Sequence, residues 1–350
     1  MVASGSAATP ARCAGLRRTL QHGWEQGFPL QDSPFQVLAR QAGGTVREVL
    51  GQCHRLADAG ALDAIRVHWS AGLQRVRWRC GVALAGAPPD AVLRTLAALP
   101  GVAAWEWAEP AAPSTVVGAG AFGGPALWFE IAARSVASAR AQYAQVLALG
   151  LGLLCLELEG RDEGDDGPGC ACMVSGGPCS DPVLARRCEA GLPLVARPYR
   201  SLSDAVQRSE REVLATLRRW QRQGQVTAVG LGAPVAGAES LWSLCALAGD
   251  ADADDDRAAT RARLLAQPGI AEVTRLPGHA QWPYRWLVGA PGAPTPGDAL
   301  LERALAACGL RARPRRWLHV RRVRLRAAPL LFADDGAGLA GGAAAGGPAR

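Results

Sequence analysis

The chain has 350 residues, 49% of them apolar, which is enough for two or three domains with cores of their own. No run approaches about 18 uninterrupted apolar residues, and no basic stretch leads into a long apolar one at the N-terminus. A membrane span and a secretory signal are therefore not expected, and the cytoplasm is the expected location. The formal charge is +7, carried by 38 arginines with no lysine, which suits an anionic partner, either nucleic acid or a carboxylate-rich small molecule.

Residues 1–15 are small and polar and are expected to be disordered. A helix-turn-helix unit with a wing strand follows within residues 16–70, where Thr45 and Glu48 form a capping box. Residues 71–160 then read strand (75–86), helix (89–99), strand (102–107), strand (126–132), helix (135–149) and strand (151–158). That βαββαβ order is ferredoxin-like. Residues 161–182 are a Gly/Asp/Pro-rich linker. Cys170, Cys172, Cys179 and Cys188 cluster in and after it, but the spacing matches no standard zinc site. Its role is left open and no metal is expected.

A second winged helix-turn-helix unit occupies residues 183–235. Ser209 and Glu212 form its capping box, Val213, Leu217 and Trp220 its apolar face, and Gly224 ends the helix. Subtracting 164 from Gly191, Pro193, Leu194, Pro198, Leu202, Arg211, Glu212, Val213, Leu214, Arg219, Gly224 and Ala228 gives the same residue types in the first unit. The ferredoxin-like pattern recurs over 236–332, with strands at 241–249, 268–274, 283–289 and 316–325 and helices at 256–267 and 298–308. The Gly/Ala-rich tail 333–350 is expected to be disordered. The fold class is α+β, a tandem duplication of a winged helix-turn-helix plus a ferredoxin-like domain, with the two ferredoxin-like sheets packed against each other to bury the face each leaves open.

Four features carry a family resemblance. They are the Gly-Phe/Leu-Pro-Leu segments at 27–30 and 191–194 followed by Pro-Phe or Pro-Tyr, the Pro-Gly-Val/Ile turns at 100–102 and 268–270, the triplet Trp282, Pro283 and Tyr284, and the basic strand 321–326. Over residues 24–332 the chain resembles the siroheme decarboxylases, an Lrp/AsnC-like enzyme family, in its fused two-subunit form. The resemblance implies removal of carbon dioxide from the C12 and C18 acetates of siroheme, giving 12,18-didecarboxysiroheme for haem d1 or alternative haem biosynthesis. It implies no cofactor beyond the iron that belongs to the substrate, with a regulatory haem b left open. It also implies association with other decarboxylase subunits or with itself, and no membrane. Siroheme carries eight carboxylates, which call for bidentate arginine partners. The carbon left after loss of carbon dioxide needs a positioned proton donor.

The family's histidine after each Pro-x-Val turn is replaced here by Ala104 and Glu272, and that of the His-Gly pair after Trp-Pro-Tyr by Pro291. The candidate proton donors are therefore His279 and Tyr284, unless this copy is inactive. The candidate substrate contacts are Trp282, Arg275, Arg197, Arg322, Arg324 and Arg326. Two other readings stand beside the enzyme. One is a non-catalytic partner of another decarboxylase copy. The other is a DNA-binding regulator using Arg211, Arg218, Arg219 and Arg222. Glu210 and Glu212 at the helix N-terminus oppose the regulator, as does the loss of a simple symmetric dimer, so specific DNA binding is not expected.

Overall fold

The computed structural model describes residues 27–111, 126–158, 177–232, 237–248, 257–277, 279–292, 299–311 and 313–333. The expectations for 1–15, for the tail from 334, for most of the linker and for Cys170 and Cys172 lie outside these residues.

The first helix-turn-helix unit is α1 (Pro34–Gln41), α2 (Val46–Asp58) and β1 (Ala64–Trp69). The first ferredoxin-like unit is β2 (Val76–Ala83), α3 (Asp90–Ala98), β3 (Ala104–Pro110), β4 (Ala126–Ala133), α4 (Val136–Leu147) and β5 (Leu153–Leu158). After α5 (Pro182–Glu189) come α6 (Pro198–Ala205), α7 (Glu210–Arg222) and β6 (Val226–Gly232), the second helix-turn-helix unit. The second ferredoxin-like unit is β7 (Glu239–Ala248), α8 (Arg257–Leu265), β8 (Glu272–Arg275), β9 (Tyr284–Pro291), α9 (Ala299–Ala307) and β10 (Arg315–Arg324).

Local chemistry repeats with the sequence. Both capping boxes form: the Thr45 hydroxyl accepts from the Glu48 amide at 3.2 Å and the Ser209 hydroxyl from the Glu212 amide at 3.3 Å, while each glutamate accepts the cap's own amide. Proline opens α1 and α6, where its fixed φ costs nothing. Gly60 and Gly224, 164 residues apart, end α2 and α7 at φ +65 and +69.

The two helix-turn-helix units pair about a local pseudo-dyad. Their wing strands form one antiparallel ladder, β1 with β6, in which Ile65 faces Leu231, Arg66 faces Gly230 and Val67 faces Val229. Adding 164 to 65, 66 and 67 gives 229, 230 and 231, so the ladder is self-complementary and centred on equivalent residues, as an isologous contact requires. The flanks are reciprocal as well. The Phe28 amide donates to the Val229 carbonyl and the Leu192 amide to the Ile65 carbonyl, both at 2.8 Å. His54 donates from Nε2 to the Leu194 carbonyl at 2.8 Å, and Arg218, its equivalent, donates from Nε to the Leu30 carbonyl at 3.0 Å. One buried core spans both units, including Phe35, Leu38, Val49, Tyr199, Val213 and Trp220.

Each ferredoxin-like half has the expected strand order, β5-β2-β4-β3 and β10-β7-β9-β8. The halves are joined by a further ladder that the sequence did not announce. β3 pairs antiparallel with β10, from Leu318 facing Pro110 to Arg324 facing Ala104, and makes one eight-stranded sheet. Alternation sorts the side chains. Val76, Trp78, Cys80 and Val82 of β2 pack with Val92, Leu96, Ala139 and Val146 under α3 and α4, and Cys245 and Leu247 of β7 pack with Leu264, Leu301 and Leu305 under α8 and α9. The opposite faces meet each other. Trp128, Leu154, Leu156 and Leu158 of the first half share a core with Leu244, Ala246, Trp282, Tyr284 and Leu287 of the second. Strands from both ends of the sheet thus touch, so the sheet curls and the expected packing of one half against the other is present.

The segment after β10 ties the two layers together. The Glu189 carboxylate on α5 accepts the amides of Leu331 at 2.6 Å and Phe332 at 2.9 Å. Arg134 donates to the Leu331 carbonyl at 2.8 Å and lies 4.4 Å from the Phe332 ring centroid. Residues assigned from sequence to the second ferredoxin-like domain thereby end in the helix-turn-helix core.

The turns between the paired helices share a left-handed position that is filled differently. Gly43 sits at φ +62, and its equivalent Gln207 is held at φ 54. A left-handed conformation costs a side-chain-bearing residue about 1–2 kcal/mol, and glycine returns about 0.5–1 kcal/mol of that in unfolded-state entropy. Gln207→Gly should therefore raise stability in chemical denaturation by about 0.5–1 kcal/mol, whereas Gly43→Ala should lower it by about 1 kcal/mol.

Candidate functional site

The inner face of the curled sheet carries charge as well as apolar side chains. By strand alternation β2 turns Arg77 and Arg79 inward, β3 turns Ala104 and Glu106, β4 turns Trp128 and Glu130, β8 contributes Glu272 and β10 contributes Arg322. The charged groups among them form two ion-paired sets. Glu106 is ion-paired with Arg79 and accepts from Arg322 Nε at 2.8 Å. Arg322 Nη2 reaches Glu272 Oε2 at 2.6 Å, which closes a contact between β10 and the far edge strand β8. Arg77 holds Glu130 bidentately at 2.6 and 2.9 Å. The Arg322 guanidinium also lies 4.3 Å from the Trp242 ring centroid and that of Arg79 lies 5.5 Å from Trp128, so aromatic faces screen both cations from water.

Beside these ion pairs is a cleft of about 290 Å³ whose wall includes Arg79, Ala104, Glu106, Glu130, Glu272, Arg322, Arg324 and Arg326, and Ala327 and Pro329 of the segment that follows β10. Four guanidiniums face three carboxylates. Arg326 donates to the Pro100 carbonyl at 3.0 Å and the Ala97 carbonyl at 2.6 Å, at the end of α3, where the helix leaves acceptors unpaired. Arg324 is exposed, and its guanidinium has no partner among the described residues.

The electrostatics follow from burial and neighbours. Burial by itself pushes the Glu106 carboxyl up, but the Arg79 and Arg322 guanidiniums outweigh it and hold the group below the usual carboxylate range. Burial likewise works against the charge on Arg322, and Glu106 and Glu272 more than restore it. For Arg77 burial is again opposed, here by Glu130 and, at longer range, by Glu272.

The residues singled out from the sequence separate into five places. Arg322, Arg324 and Arg326 line the cleft together. Tyr284 and Trp282 are buried in the core between the halves, their rings 4.8 Å apart, with Trp282 also 4.8 Å from Trp128. The Tyr284 hydroxyl engages Arg316, whose own charge burial disfavours. His279 is exposed on the turn before β9, where its Nδ1 accepts from the Gln281 amide at 3.1 Å, and it does not reach the cleft wall. Arg275 is half-buried at the end of β8, opposite Trp286. Arg197 stands at the start of α6 in the helix-turn-helix layer, ion-paired with Glu210.

Sequence reasoning passed over Arg77, Arg79, Glu106 and Glu130. Their signal is charge at alternating positions within otherwise apolar strands, Arg-Trp-Arg at 77–79 and Trp-Glu-Trp at 105–107. Such charge must be paired when both faces of a sheet are covered. Ala104 and Glu272, which follow the two Pro-Gly-Val/Ile turns at equivalent positions, both lie on the cleft wall. No group of three or more metal-ligating side chains occurs among the described residues, where Cys188 is buried and Cys179 half-buried.

Replacing Glu106 by Gln leaves two buried guanidiniums short of a counter-charge and should cost about 3–5 kcal/mol. Because the folded value of Glu106 is depressed, its stabilisation is fully present above the unfolded carboxylate value of about 4.3 and is lost as pH falls through the lower folded one. Denaturant titrations at neutral and acid pH should show the gap between wild type and Glu106→Gln closing below about pH 4.

The siroheme decarboxylase NirDL-like HTH domain family matches residues 183–226. The siroheme decarboxylase NirDL subunit of Paracoccus denitrificans (strain Pd 1222) is 29% identical over 226 residues, 61% of this chain and 65% of the relative, so the chain aligns with a little under two thirds of that protein. The siroheme decarboxylase NirL subunit of Stutzerimonas stutzeri is 46% identical over 48 residues, 14% of this chain and 28% of the relative. In fold, the chain is similar to the crystal structure of the siroheme decarboxylase NirDL, with a TM-score of 0.59 and 15% identity over 90% of this chain and 92% of that one. It is equally similar to NirDL in complex with an iron-uroporphyrin III analogue, with a TM-score of 0.59 and 14% identity over 93% of this chain and 95% of that one. The second helix-turn-helix unit thus matches the siroheme decarboxylase NirDL-like HTH domain family, and over most of its length the chain shares the fold of the siroheme decarboxylase NirDL.

Proposed function

We propose that this chain is a siroheme decarboxylase, removing carbon dioxide from the C12 and C18 acetates of siroheme to give 12,18-didecarboxysiroheme in haem d1 or alternative haem biosynthesis. The observation that carries the proposal is the arginine-lined cleft between the two ferredoxin-like halves, in a chain whose relatives bear that activity in their names. Arg322, Arg324 and Arg326 would receive peripheral carboxylates, because a guanidinium matches a carboxylate with two parallel hydrogen bonds. The segment carrying Ala327 and Pro329 would shift to admit the macrocycle, for which a cleft of about 290 Å³ is small.

In the reaction the bond from the methylene carbon to the carboxylate breaks and its electron pair passes into the macrocycle. Carbon dioxide leaves, and a proton then converts the methylene to a methyl group. The iron belongs to the substrate, and no further cofactor enters this reading; a regulatory haem b is left open. The proton donors proposed are His279 and Tyr284. His279 would have to approach from the rim, and Tyr284 would act only if the macrocycle parted it from Arg316. The reading takes the chain to act in the cytoplasm, with other decarboxylase subunits or further copies of itself as partners; among the described residues no helix is long and apolar enough to cross a membrane. Specific DNA binding forms no part of it: Arg218 is committed to the Leu30 carbonyl and Glu210 to Arg197.

One observation favours a second reading, a non-catalytic partner of another decarboxylase copy. Ala104 and Glu272 stand where the family has histidine, and no imidazole lines the cleft among the described residues.

Anaerobic incubation of the purified chain with siroheme, followed by mass spectrometry, separates the two. Stepwise loss of two carbon dioxide molecules is expected. Intact siroheme with this chain alone, but turnover on adding a second decarboxylase subunit, would give the partner role instead. With an active chain, His279→Ala should slow turnover about 10²-fold or more while binding stays nearly unchanged, since a proton donor contributes in the transition state. An unaltered rate removes His279 from the reaction and makes Tyr284→Phe the next variant.

A further inference from the structure

We infer that Glu272 is a built-in competitor for ligand carboxylates. It occupies the face of Arg322 that an anionic ligand group would take, so the cleft offers one open anion subsite, at Arg324, and one that is already filled. The inference rests on the proposed reading of the cleft as a site for a polycarboxylated tetrapyrrole.

The two carboxylates on Arg322 are not equivalent. Glu106 is enclosed, with its side chain 8% exposed, and it is held from the other side by Arg79, so it forms part of the joint between the halves. Glu272 is 26% exposed and lines the cleft. Apart from Arg322 its close partner is the Thr274 hydroxyl, 3.3 Å away. A carboxylate entering the cleft meets Arg322 on the side where Glu272 sits, and it must displace Glu272 or be repelled by it.

The next inward-facing position on β10 presents the contrary arrangement. Arg324 faces Ala104 across the β3–β10 ladder. The methyl group of Ala104 leaves room beside a guanidinium that has no partner among the described residues. Residues 104 and 272 follow the two Pro-Gly-Val/Ile turns at the same spacing. One repeated wall position thus carries a methyl group in the first half and a carboxylate in the second. A ligand bearing several carboxylates is received unequally at these two neighbouring subsites, and the one at Arg322 favours a substituent without negative charge.

The test is a binding titration of the full chain with iron-uroporphyrin III, which bears eight carboxylates, followed by the absorbance change of the porphyrin. Wild type, Glu272→Gln, Glu272→Ala and Arg324→Ala are compared, and thermal melting verifies that each is folded. Removing a carboxylate that competes for a charged hydrogen bond should tighten binding about tenfold or more in both Glu272 variants, and Arg324→Ala should weaken it about tenfold. Two Glu272 variants are used so that a folding defect in one leaves the other to decide. If wild type binds and the folded Glu272 variants bind no more tightly, the competitor role is overturned while the tetrapyrrole reading stands. If none of the four binds the porphyrin, both fall together.

Discussion

The carboxylate of Glu106 lies between Arg79 and Arg322, guanidiniums from different halves of the duplicated chain. The rest of the architecture depends on this triad. A curled eight-stranded sheet encloses its inner face, and charge placed there must be neutralised locally or the halves could not close. The triad sits at the β3–β10 ladder, where Arg322 and Glu106 are opposite each other in register. Backbone pairing therefore brings the groups together, and their mutual attraction fixes the register. Trp128 and Trp242 complete the arrangement by covering the cations with ring faces.

Duplication explains the second layer. The helix-turn-helix units meet as a symmetric dimer would, through a self-complementary strand ladder and reciprocal side-chain contacts to backbone carbonyls, but on one chain. On α7, the second helix of its unit, Arg218 is spent on the partner unit. Glu189 and Arg134 then anchor the segment after β10 across both layers. Because that segment also supplies part of the cleft wall, the helix-turn-helix pair works as a mount for the cleft.

The symmetry breaks where chemistry is expected. The two repeated wall positions hold Ala104 and Glu272, one leaving space and the other charge. The exposed Arg324 stands beside Ala104, while Arg322 beside Glu272 is internally compensated.

The sequence by itself determined the elements and their order. Capping boxes, prolines at helix starts, glycines past helix ends and period-two alternation are local, and a 164-residue repeat is visible without coordinates. It also placed Arg322, Arg324 and Arg326 on one strand, and these do share the cleft. Tertiary structure alone decided which charges meet. Arg77, Arg79, Glu106, Glu130 and Glu272 come from four strands, and nothing local says that the sheet will curl until β8 reaches β10. The same closure removed Tyr284 and Trp282 into the core between the halves and left His279 on an exposed turn away from the cleft wall. Residues that are neighbours in sequence point to opposite faces of a strand, and only the curl decides which face becomes an interior.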